Sequence, residues 1–412
     1  MKVILRIVLA LVLFVVVGVA GLFALYETNK IVIADIDRTK SVETRMAPGL
    51  DPKLAALSSD ALERLRRQGG YPAVSAAVAV DGQLVWQEAR GWADLNTQAQ
   101  ATINTSFAIG SVSKALTAAV AMKLAERGVL NLDADIRTYV PSFPKKDHVI
   151  TARQLLSHQA GIRHYRFLLS PPTFSEMGST TQYNTTLESL GVFAHDPLLF
   201  KPDTDFSYSS YGFTLLSAAM EGAAGVPFLD LMQRELFTAY GLSRTGADDR
   251  RKPNGGRASD YQNVMRDGAV IAAPFTNGSG KWAGGGFVST PSDLARFGAA
   301  LAKGQIVDAE TLRVMFEPRT LASGRVNRQN YALGVRVDTI TDELFPGKAW
   351  RAVHHGGVAI GAQSMLVMLP DHDVVVAIST NATTQPPARG LFDTATMIAI
   401  MFAERKSPSS LQ

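Results

Sequence analysis

The sequence predicts an α+β fold: one antiparallel sheet is assembled from both ends of the chain, with helices on its faces and a mostly helical insertion at about 140–260. Three observations carry this reading. Near the N-terminus, two β-type runs at 73–80 and 83–89 flank Asp81-Gly82, a dipeptide suited to a two-residue turn whose central positions both need positive φ. Near the C-terminus, four runs of the same kind follow at 331–338, 352–356, 363–369 and 374–380, the last two joined by Pro370-Asp371-His372-Asp373. The stretch between has a helical period broken by loops rich in Gly, Pro and Ser.

In chain order, the first element is an apolar helix. Residues 7–26 carry no charge, and at about 1.5 Å per residue they reach roughly 30 Å, the thickness of a bilayer core. A cleaved signal peptide has a shorter apolar stretch, and this one runs on past the small-residue site at Gly18-Val19-Ala20, so a retained single-pass anchor over 1–26 is expected. Lys2 and Arg6 favour an inside N-terminus, with the remainder on the outer side of the membrane. Residues 27–50 are polar without a period and read as a tether, 51–405 as the folded domain and 406–412 as a tail. The domain opens with a short amphipathic helix at 59–68 and closes with one at 388–404.

Composition narrows the chemistry. The 412 residues are 46% hydrophobic and 19% charged, values that exclude a disordered or coiled-coil chain. A net charge of +4 with no basic run gives nucleic acid nothing to bind. The absence of cysteine removes thiolate catalysis, disulfides and Cys-ligated metals. No His-Glu-x-x-His occurs and the seven histidines lack ligand spacing, so neither metal nor cofactor is expected.

Reactive side chains concentrate in three places. Ser111-Val112-Ser113-Lys114 opens an apolar helical stripe (Val112, Leu116, Ala119, Val120, Leu124) that Gly128 stops. Ser111 then lies in the first turn with Lys114 on the same face. A desolvated lysine can take the serine proton, and the turn's N–H groups point at a developing oxyanion. A second Ser-x-x-Lys, at Ser142, sits between Pro141 and Pro144 in a loop that would not hold both side chains on one face. The second place is Tyr208-Ser209-Ser210, on a loop held by the helix at 213–224; beside an ammonium, this phenol would ionise below its usual value of about 10. The third is His354-His355-Gly356-Gly357 at the end of a strand, where adjacent histidines point to opposite faces.

In this order the three places resemble the penicillin-binding-protein and class C β-lactamase superfamily of serine hydrolases, over about residues 71–404. Thr151-Ala152-Arg153-Gln154-Leu155-Leu156-Ser157-His158, Ala283-Gly284-Gly285-Gly286 and Tyr331-Ala332-Leu333-Gly334 are similar to the same superfamily, and 160–165 and 208–217 look closest to its serine β-lactamase-like branch. The resemblance implies a β-lactamase/transpeptidase-like fold with Ser111 as nucleophile, Lys114 and Tyr208 sharing the proton transfers, and the N–H groups of Ser111 and Gly357 as oxyanion hole. It places His354 where β-lactamases carry the lysine of Lys-Thr-Gly, with Ser210, His355 and Gly356 against substrate. If the strand register differs by one, His355 faces the serine in its place. A histidine is mostly neutral at pH 7, so a permanent cation to clamp a carboxylate is missing. The expected protein is a membrane-anchored, cofactor-free hydrolase of small-molecule or peptide substrates, of peptidase or esterase type. The alternatives are a β-lactamase or D,D-peptidase, and a non-catalytic ligand-sensing module.

Overall fold

The structure is a computed structural model and describes residues 2–32, 42–166, 175–251, 256–263, 269–343, 345–384 and 390–406. Its centre is an antiparallel sheet of seven main strands: β1 (Val42–Met46), β2 (Ala73–Val80), β3 (Gln83–Asp94), β4 (Arg336–Ile340), β5 (Trp350–Ala359), β6 (Ala362–Leu369) and β7 (Val374–Thr380). They lie in the order β4-β5-β6-β7-β2-β3-β1, so the C-terminal strands complete a sheet begun near the N-terminus. The β2–β3 turn takes positive φ at both Asp81 and Gly82, as the dipeptide requires.

Six helices matter here: α1 (Lys2–Asn29), α2 (Pro52–Gly69), α3 (Ser113–Glu126), α4 (Ser210–Ala224), α5 (Pro291–Ala302) and α6 (Gly390–Lys406). Two cores sandwich the sheet, and strand alternation assigns residues to each. On β7, Val374, Val376 and Ile378 pack with α2 and α6, while Val375 and Ala377 join α3, α4 and α5. Because α3 is buried on nearly every side, its first turn is held in place by the domain's larger core.

Several boundaries differ from expectation, among them the opening helix, which starts at Pro52 and not at 59 because Asp51 caps it and Pro52 suits its first turn. The tether contains structure: Val42–Met46 pairs with β3 from Val42↔Arg90 to Met46↔Trp86, and Ile31–Val32 pairs with Ala269–Val270. These short segments are ordered by a partner's free edge, which no local period announces. β4 begins at Arg336 because the chain turns before it, with positive φ at Asn330 and Gly334. α4 begins at Ser210 because the Ser209 hydroxyl caps it, accepting the Gly212 N–H at 2.9 Å.

Candidate active site

Ser111 sits in a 3₁₀ turn, Gly110–Val112, that runs directly into α3. One helical turn on, Lys114 is fully buried, and its Nζ lies 3.2 Å from Ser111 Oγ and 2.9 Å from Ser210 Oγ and also donates to the Gly284 carbonyl. None of these partners is a carboxylate. Burial, reinforced by the Arg336 charge, therefore holds the Lys114 amine well below its ordinary pKa. An uncharged amine has two hydrogens and one lone pair, which matches two acceptors plus the serine hydroxyl.

Tyr208 brings its phenol within hydrogen-bonding reach of Ser111, and the Lys114 nitrogen stands 4.7 Å from its ring centre. The expected acidic tyrosine is not found. Burial raises the phenol above 10, and the hydrogen bond to Ser111 and the nearby Arg336 charge offset this only in part.

Two histidines passed over in the sequence fix this loop. His158 Nδ1 accepts the Ser209 N–H at 3.2 Å, and His164 Nδ1 accepts the Ser210 N–H at 3.1 Å. Both rings must be neutral to accept. Burial depresses each, and His164 falls to about 4, with the Lys114 charge contributing. Ligand spacing was the wrong signal for residues that position a backbone.

Strand β5 corrects two expectations. His354 does not face the serine: its Nε2 meets Asp338 Oδ2 at 2.8 Å and its ring packs on Phe392 with centres 4.6 Å apart. His355 lines the pocket instead. Its Nδ1 donates to Gly356 O at 2.7 Å, so its Nε2 accepts from Tyr331 Oη at 2.9 Å, and the ring is neutral through burial and the nearby Arg336 and Lys114.

The oxyanion expectation shifts by one residue. Val337 N–H donates to Asn330 O at 3.0 Å, away from β5, so Val337↔Val353 is a non-hydrogen-bonded pair and Arg336↔His354 a bonded one. By alternation, His354, Gly356 and Val358 turn their amides to the β4 side, and Gly357 turns its amide to β6. Because β4 begins only at Arg336, opposite His354, Gly356 and Val358 present an open edge. Gly110, at φ 49°, lies against that edge, and a Cβ there would be 2.7 Å from Val358 N. Gly357 is needed for close approach instead, since a Cβ would stand 1.9 Å from Ile109 O.

Ser111, Tyr208, Ser210, His355, Gly356 and Arg336 line one pocket of about 450 Å³. Arg336 supplies the permanent cation that the sequence analysis found missing. Its Nη2 donates to Gln329 Oε1 at 2.6 Å, its Nε has no hydrogen-bond partner, and it forms no ion pair among the described residues. A charged residue in the otherwise apolar run 331–337 was its one sequence signal.

Comparison with known proteins agrees with this fold. The beta-lactamase family profile matches residues 56–396. The human serine beta-lactamase-like protein LACTB, mitochondrial, is 29% identical over 85% of this chain and 80% of its own length. Penicillin-binding protein 4* of Bacillus subtilis is 24% identical over 71% and 64%. Among solved structures, the D-amino acid amidase of Ochrobactrum anthropi superposes with a TM-score of 0.68 at 21% identity, covering 85% of this chain and 99% of that one. The penicillin-binding protein of Bacillus halodurans gives 0.67 at 21%, covering 84% and 99%. With the fold, the motifs and the profile in agreement, this chain belongs to the beta-lactamase family.

Proposed function

We propose that this protein is a membrane-anchored serine hydrolase of peptidase or esterase type that works through an acyl-enzyme on Ser111. The observation that carries the reading is a buried lysine, Lys114, held well below its ordinary pKa by burial, 3.2 Å from the serine hydroxyl and with no acid among its hydrogen-bond partners. Lys114 accepts the Ser111 proton as Oγ attacks the acyl carbon. The N–H groups of Ser111 and Val358 hold the oxyanion. Tyr208, kept protonated by burial, donates to the leaving group, and the proton on Lys114 restores it. Water then repeats the sequence in reverse on the acyl-enzyme.

Arg336 favours peptides over neutral esters. It stands at the closed end of the β5 edge, beside Tyr208 and His355, where the leaving group departs. A half-buried guanidinium with an unpartnered N–H and no ion pair among the described residues suits a leaving group with a free carboxylate, as in carboxypeptidase-type cleavage. This removes the ground on which D,D-peptidase and β-lactam substrates were disfavoured. The α1 span, Arg6–Asn29, supports the anchor by length and composition.

The test is labelling of the folded protein with a fluorophosphonate, followed by peptide mass spectrometry. The adduct is expected on the Ser111 peptide and absent in Ser111→Ala; a folded, unlabelled wild-type protein would sink the reading in favour of a non-catalytic module.

A further inference from the structure

The membrane helix does not hang free of the domain. Tyr26, near its end, is only 8% exposed, and two residues after Asn29 the chain pairs with the domain at Ile31↔Val270 and Val32↔Ala269. The strand it joins, Ala269–Ala272, runs into the pocket wall. The Ala273 N–H donates to Asp260 O at 2.8 Å, Thr276 and Gly278 line the pocket, and a Cβ on Gly361 would be 2.6 Å from Ala273 Cβ. So the anchor is pinned beside the 359–362 turn, which closes the open-edged end of β5. Val270 and Thr276 are six residues apart, at most about 20 Å of chain.

Two apolar side chains stand exposed on this side: Val358, which lines the pocket, at 40%, and Phe275, next in the chain to pocket-lining Thr276, at 43%. Arg250 lies over the Phe275 ring at 5.6 Å, an apolar body with a charged collar of the kind found at headgroup level. Among the described residues the surrounding charges are paired: Arg250 with Asp260 at 3.5 Å, Arg251 with Asp249 at 2.7 Å, and Lys30 with Glu27 at 2.8 Å.

We propose that the pocket mouth around Phe275 and Val358 rests in the bilayer interface, so that the site takes its substrate from the membrane surface. The proposal deepens the hydrolase reading and rests on α1 being retained as an anchor. The occupant of the apolar rim is a phospholipid bilayer, held by burial of apolar side chains and the adjoining span. Because the local charges are paired, zwitterionic phosphatidylcholine is sufficient, and anionic lipid adds little.

The lack of cysteine makes the test clean. Phe275→Cys in the full chain is labelled with an environment-sensitive fluorophore and reconstituted in phosphatidylcholine vesicles containing doxyl-labelled lipid, with Val149→Cys on an exposed loop as comparison. Quenching and a blue shift are expected at 275 and not at 149. An unquenched label at 275 in a chain that resists carbonate extraction overturns the inference alone; a chain that carbonate extracts overturns the anchor with it. Labelling of Ser111 by a fluorophosphonate is scored separately, so failure of the hydrolase reading is told apart. For activity, Phe275→Asp should lower kcat/KM about tenfold on an ester embedded in the vesicles, the scale of one buried phenylalanine, and leave a short water-soluble ester within twofold. Equal loss on both substrates also overturns it.

Discussion

The pocket has two walls that treat positive charge in opposite ways. On one, Arg257 is buried but shared between acids: it meets both Asp248 oxygens at 2.7 Å and Asp260 at 2.8 Å, and Arg250 adds a longer contact to Asp260. Lys281, on the same side and half-buried, is lowered to about 8 by desolvation, which the Asp248 charge partly offsets. On the other wall, Lys114, His355, His158 and Arg336 have no carboxylate among their hydrogen-bond partners. Three of these four lie well below their ordinary pKa, and the fourth, a guanidinium, cannot give up its proton. A paired cation holds a wall together; an unpaired one waits for an anion. The serine lies against the second.

Substitutions should separate the walls, beginning with the largest effect. Ser111→Ala is expected to lower kcat by about 10⁴-fold or more, with the melting temperature nearly unchanged. Lys114→Met, which keeps bulk and removes the base, should cost about 10³-fold in kcat/KM. If either retains half its rate, the unpaired wall is not the catalytic one. Arg257→Ala should act on stability first, by about 3–5 kcal/mol in denaturant unfolding, because it strands buried Asp260. A loss of rate with unchanged stability would break the comparison from the other side.

Arg336→Gln has a graded and a signed prediction. On a substrate whose leaving group carries a carboxylate, kcat/KM should fall about 10- to 100-fold, the scale of a hydrogen bond to a charged group, and the amidated analogue should lose little. The acid limb of the pH–rate profile should also move. Lys114 must be neutral to act, so rate rises with pH through its pKa; Arg336 depresses that pKa, and removing the charge shifts the limb upward. A downward shift would refute the assignment of the limb to Lys114. The smallest effect belongs to His354→Ala, which faces α6 and should alter kcat/KM less than threefold while losing about 1 kcal/mol of stability with its Asp338 contact.

How far these walls were legible in the sequence depends on what held each residue. Ser111 and Lys114 were readable because a single helical turn sets their spacing, and the Asp81-Gly82 hairpin because its turn chemistry is local. The sheet built from both chain ends was also legible from strand runs and is the observed topology. Which of two adjacent histidines faces the serine was not, since that depends on pairing parity, and neither was the Val358 amide, whose freedom arises from β4 beginning only at Arg336. The pKa of Tyr208 went wrong for a related reason. An ammonium beside a phenol is a statement about charge alone, and burial of the phenol itself outweighs it.

The division of the central sheet between the two chain ends also bears on biosynthesis. Ser111 and Lys114 emerge early, but the edge that completes the oxyanion site belongs to β5, and β5 is tied into the sheet through β6 and β7. Until those last strands are made and dock on β2, the nucleophile has no cleft, and such non-local pairing is slow to form. A nascent or C-terminally truncated chain would therefore lack a formed cleft, and, on the hydrolase reading proposed above, competence would mark completion of synthesis.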